Sequence, residues 1–147
     1  MKQLFIVLLL TLCGSVSAQD LYMVRSSLAF PEAMSLLQQT IKAEGYQVSR
    51  VQRVDIGLTK SGFKTDKYRI VFFGKLDEVR TVSDQYPELI PYLPLKIAIF
   101  AEGDETLLLS ASFQHLRPFY KSPTLRDRFD RWDADISRML ERVRNAE

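Results

Sequence analysis

The chain has 147 residues, 26% of them charged, with a formal net charge of +2, one cysteine and one histidine. This length suits a single domain with one hydrophobic core. Near-neutrality excludes a global field that steers nucleic acid, and one thiol with one imidazole excludes an intrachain disulfide and multi-ligand Cys/His metal sites.

The N-terminus differs from everything after it. Met1-Lys2 carries one positive charge, Leu4 to Leu12 is almost unbroken apolar sequence, and small residues lead to Val16-Ser17-Ala18 before Gln19-Asp20. That order is the pattern of a secretory signal peptide. The apolar run is too short for a bilayer, which needs about 20 apolar residues. The expectation is a signal peptide over residues 1–18, cleaved after Ala18, and a periplasmic or secreted domain over 19–147. Cys13 lies inside the apolar run and follows Leu12, where lipoprotein processing needs a small residue, so that reading is rejected. Cleavage removes the only thiol, which suits an oxidising compartment. No later run is long enough to form a transmembrane helix.

Leu21 to Ser26 alternates and predicts a first strand. Pro31 stands at a good first helical position, and Phe30, Met34, Leu37 and Ile41 recur on one helical face. The helix is expected over 31–44, stopped by Gly45. Tyr46 to Val51 reads as a strand, and Asp55 to Gly62 as either a short helix or a turn. Lys67 to Phe73 is a strand whose two faces are both largely apolar, so a central or interface position is expected. Gly74 breaks it, and Leu76 to Gln85 suits a helix. Pro87, Pro91 and Pro94 forbid regular helix in the connection that follows.

Leu95–Ala101 and Thr106–Phe113 are expected to pair as a hairpin across Glu102-Gly103-Asp104-Glu105. Gln114 to Ser122 is irregular. Thr124 to Arg144 is a long helix with the stripe Leu125, Phe129, Trp132, Ile136, Leu140 and Val143. Trp132 is therefore predicted to be buried, against the sheet or a partner subunit. The element order fits an α+β fold in two layers: a mainly antiparallel sheet with helices packed on it, ending in a long amphipathic helix.

Ile70-Val71-Phe72-Phe73-Gly74, the Leu93-Pro94-Leu95 entry to a strand, and the acidic turn at Gly103 resemble domain-of-unknown-function family 302. The helix ending in Gly45-Tyr46-Gln47-Val48 is similar to that family's opening. Lys75-Leu76 departs from the Asn-Pro that usually follows its Phe-Gly. The resemblance implies a compact α+β domain, commonly dimeric, with no agreed activity.

No nucleophile–base pair, Gly-rich phosphate loop, cofactor motif or metal motif is visible. His115 reads as a loop residue. Asp127, Asp130, Asp133 and Asp135 alternate with Arg126, Arg128, Arg131 and Arg138, which reads as a solvated helix face. A patch of Arg117, Lys121, Arg126, Arg128 and Arg131 is diluted by those acids, which disfavours nucleic acid or lipid headgroups as partners. Tyr86, Tyr92, Phe113, Phe119 and Tyr120, with Trp132, are the candidate ligand-pocket or interface residues, against the plainer reading of core and rim packing. The expectation is a small ligand-binding or protein-interaction module of the envelope. It is expected to be a homodimer without cofactor, taking a small apolar ligand or an envelope protein. The alternative is a metal-free hydrolase using carboxylates, Tyr or Arg, with Asp55, Asp66 and Asp77 as its acids.

Overall fold

The computed structural model describes residues 20–146; the signal-peptide expectation falls on residues 1–18, outside them. The elements run β1 (Leu21–Ser26), α1 (Phe30–Ala43), β2 (Gln47–Arg53), α2 (Val54–Lys60), β3 (Tyr68–Gly74), α3 (Leu76–Gln85), β4 (Leu95–Glu102), β5 (Glu105–Ala111) and α4 (Pro123–Arg144). Short 3₁₀ turns occupy Pro87–Tyr92 and Gln114–Phe119. The fold is α+β, with a five-stranded sheet in the order β1-β5-β4-β3-β2, antiparallel throughout.

Local chemistry sets the joints. α1 has Pro31 in its first turn and is closed by Gly45 just past its end, whose φ is +80°. There Tyr46 N–H donates to Ile41 C=O and Gly45 N–H to Lys42 C=O, the paired bonds of a Schellman cap. The ambiguous stretch after β2 is the helix α2. The β4–β5 link is tighter than expected: Glu102 pairs with Glu105, leaving the two-residue loop Gly103-Asp104, with Gly103 at φ +63°. Glycine at that first position suits the turns that match strand twist. β5 stops two residues early because Phe113 N–H leaves the ladder to donate to Asp133 Oδ1 at 2.7 Å.

Alternation within each strand divides the sheet into two faces. One carries Val24, Leu108, Ile97, Ile99, Val71 and Phe73, all buried. α1 places Ala33, Leu37 and Ile41 against it, and α4 adds Leu125, Phe129, Trp132, Ile136, Met139, Leu140 and Val143. The predicted α4 stripe is buried along its whole length. β3 lies between β2 and β4.

Two acids on α4 are not solvated, contrary to the expectation for its charged face. Asp133 and Asp135 are 4% and 6% exposed. Asp133 accepts from Ser112 Oγ at 2.9 Å, Gln114 Nε2 at 2.8 Å and Phe113 N–H, so it holds the turn after β5. Asp135 accepts from Tyr46 Oη at 2.5 Å and pairs with Arg138. Both are buried because their acceptor capacity is met by donors from distant parts of the chain.

Candidate binding surface

The second face of the sheet lacks a covering layer among the described residues. It carries Leu21 and Met23 from β1, Leu107 and Leu109 from β5, Ala98 and Phe100 from β4, and Tyr68, Ile70 and Phe72 from β3. All nine are partly or well exposed. Tyr68 and Phe100 meet edge to face at 6.0 Å between ring centroids. Five strands about 4.8 Å apart and roughly 20 Å long make a face on the order of 400 Å². The largest apolar patch on a soluble domain is commonly of this size and is often functional. Charges stand at its rim: Arg25 bonds Glu102 at 2.8 Å, and Lys96 and Glu105 are exposed.

Where β3 runs into α3 there is a groove of about 200 Å³, lined by Gln47, Val48, Ser49, Gly74, Leu76, Val79 and Pro94. Gly74 is required there, since a Cβ would lie 2.8 Å from Val79 Cγ2. Phe73 pairs with Leu95 across β3 and β4, so the Phe-Gly and Leu-Pro-Leu segments converge at this groove. Its lining is mainly apolar.

The aromatic candidates fall into two groups. Tyr86, Phe113, Tyr120 and Trp132 join one cluster with Phe129: Phe113–Trp132 at 4.9 Å, Tyr120–Phe129 at 5.7 Å and Tyr86–Tyr120 at 6.4 Å. Phe113 and Trp132 are core, and Tyr86 and Tyr120 pack against it. Tyr92 sits 6.1 Å from the ring of His115, over a shallow recess of about 40 Å³, and Phe119 is 79% exposed. None of the six lines the groove at Gly74.

Beside the cluster, Glu78 of α3 ties that helix to α4. It pairs with Arg131 and Arg128 and accepts from Trp132 Nε1 at 3.1 Å. Tyr46 is held between Asp135 and the Lys75 ammonium, which lies 4.6 Å from its ring centroid. Burial pushes the Tyr46 hydroxyl well above its ordinary value, and the bond to Asp135 pushes it further the same way. This tyrosine is a fixed donor at neutral pH.

The acids named for the hydrolase alternative lie on separate elements. Asp55 on α2 pairs with Arg69, which holds its carboxyl below the usual range. Asp66 is exposed in the loop before β3. Asp77 faces solvent on α3 with Arg80 at 3.7 Å. His115 is an exposed residue of the second 3₁₀ turn, bonded through Nδ1 to Ser112 C=O. No helix among the described residues is long and apolar enough to cross a membrane.

The open face was missed because each strand was read singly. Its signal was present in Ile70, Phe72, Leu107 and Leu109, apolar residues on the side of each strand opposite the core.

A family model described as "Domain of unknown function DUF302" matches residues 22–143. Among solved structures, an uncharacterised conserved DUF302 protein from Bacillus stearothermophilus matches with a TM-score of 0.76 at 21% identity, covering 86% of this chain and 100% of that one. That likeness speaks for the fold alone. No curated protein matches the chain.

Proposed function

This chain belongs to the DUF302 family, and from that premise we propose that it is an exported binding module of the cell envelope. Its working surface is the open apolar face of the sheet, and it acts as a homodimer without catalytic chemistry. The observation that carries the reading is the uncovered face itself: nine apolar side chains left accessible among the described residues, in a domain whose other sheet face carries the buried core. The groove at Gly74, Val79 and Pro94 takes a small apolar ligand. Export rests on the charge, apolar run and small-residue pattern that ends at Ala18.

Thermal shift with indole and octanoate as probes tests the ligand. A bound probe at a hundred times its Kd raises stability by about 2.7 kcal/mol. The expected result is a rise in Tm for the protein that disappears in Val79→Trp, where the groove is filled. No shift with either probe overturns the ligand reading. The hydrolase alternative gains nothing from this geometry, since no hydrogen bond or ion pair joins Asp55, Asp66 and Asp77 to one another. Turnover in an unbiased hydrolase screen, lost in Asp55→Asn, would revive it.

A further inference from the structure

We infer that the outer edge of β1 is the dimerisation seam, pairing antiparallel with β1 of a second copy to make one continuous ten-stranded sheet. The inference rests on the homodimer reading above and assigns its surface. β1 is an edge strand, in unbroken register with β5 from Leu21↔Ala111 to Ser26↔Thr106. Ser112 N–H donates to Asp20 C=O at 2.9 Å, so the ladder extends one pair further. In an antiparallel ladder alternate residues turn their main-chain groups to the partner strand. Residues 20, 22, 24 and 26 therefore face β5, and the N–H and C=O of Leu21, Met23 and Arg25 point outward. Among the described residues no strand pairs with them.

The two edges of the sheet are built differently. β2, the other edge, has a register shift between Val48 and Arg50 and is rich in charged and polar residues. Bulges and charges are the usual protection of an edge against pairing. β1 has no bulge and no proline, and its one charge, Arg25, is tied to Glu102. Leu21 and Met23 are 45% and 50% exposed. An edge of this kind is a template for another strand.

A second copy fits it by symmetry and charge. Two-fold pairing centred on Met23 sets Met23 against Met23, Leu21 against Arg25 and Tyr22 against Val24. No like charges are opposed, and about six main-chain hydrogen bonds can form. Along the helix-side flank of β1 runs a groove of about 240 Å³, with Ser137, Leu140, Glu141 and Arg144 on its α4 wall. Glu141 and Arg144 are opposite charges 2.6 Å apart, so a two-fold related α4 meets its complement on this rim. Pairing here joins the two open apolar faces side by side and leaves both accessible.

Light scattering on the processed protein recovered from the periplasm, over a range of concentrations, reads the assembly. The expected result is a dimer for the wild type, weakened at least a hundredfold by Met23→Pro and by Met23→Lys. Proline is tolerated at an edge position whose N–H faces outward, and lysine sets two like charges on the axis. Ile70→Lys, on the open face three strands from β1, should leave the dimer intact. Amide exchange on the wild type gives a reading independent of variant folding: Leu21, Met23 and Arg25 should be protected in the dimer and exchange fast on dilution. A dimer broken by Ile70→Lys and untouched at Met23, or fast exchange of these amides in the dimer, overturns the seam while sparing the homodimer reading. A monomeric wild type at all concentrations overturns both.

Discussion

At the scale of single residues, the informative groups are polar atoms buried with partners from far along the chain. Trp132 is 1% exposed, and its indole N–H reaches Glu78. Trp132→Ala should cost about 3–5 kcal/mol by cavity formation, read as a lower urea midpoint. The Tyr46–Asp135 bond has a pH signature. The native Tyr46 hydroxyl holds its proton above its ordinary pKa, whereas in the unfolded chain it ionises near pH 10, as free tyrosine does. The native state then binds more protons, so its contribution is intact below about pH 10 and is lost as the pH rises beyond it. Tyr46→Phe should be less stable at neutral pH, by about 1–3 kcal/mol for the buried acceptor left short. Its alkaline decline should be shallower, as measured by denaturation between pH 8 and 12. Asp55 has the opposite sign: the Arg69 bond lowers its native pKa, so its contribution is present above the ordinary aspartate range and is lost as the pH falls through the lowered value.

At the scale of elements, the joint between β3 and α3 is the tightest. Gly74 keeps an ordinary backbone angle, so its requirement is one of space: the Cβ of alanine would press on Val79 at 2.8 Å. Gly74→Ala should lose about 1–3 kcal/mol by overpacking. Gly74→Ala with Val79→Ala should recover part of the loss, because the offending methyl is gone. Equal stability of the single and double variants in thermal melts would refute that account. α4 is the other decisive element. Ser122 Oγ accepts the Leu125 N–H at its start, Pro123 occupies the first turn, and seven apolar side chains hold the helix on the sheet. Helices of this polarity owe their stability to such packing and not to propensity.

At the scale of the whole molecule, the two layers built by the described residues leave one sheet face without a helix. The reading of this face as a working surface, and of β1 as a seam beside it, depends on where the mature chain begins. If cleavage follows Ala18, two residues precede β1 and its edge is free. N-terminal sequencing of the protein from the periplasm should begin at Gln19. A retained Met1, or a lipid on Cys13, would overturn both the export reading and the free edge.

Periodicity by itself determined most of the elements, leaving Asp55–Gly62 between helix and turn. The α4 stripe, the α1 face, the strand expected at Lys67–Phe73 and the turn at Gly103 follow from spacing and glycine placement, because helical and strand periods are properties of the local chain. The family likeness at Phe73-Gly74 and Leu93-Pro94-Leu95 was also legible there. Tertiary structure alone decided the rest. Asp133 and Asp135 look like surface acids in a run of alternating charges, and only the approach of Ser112, Phe113 and Tyr46 makes them buried acceptors. The aromatic candidates divide into core, Phe113 and Trp132, and exposed rim, Tyr92 and Phe119, only once the chain is folded. Whether an apolar strand face is covered depends on how many layers the chain supplies. That is a count over the whole fold, which no local pattern contains, because burial is set by neighbours distant in sequence.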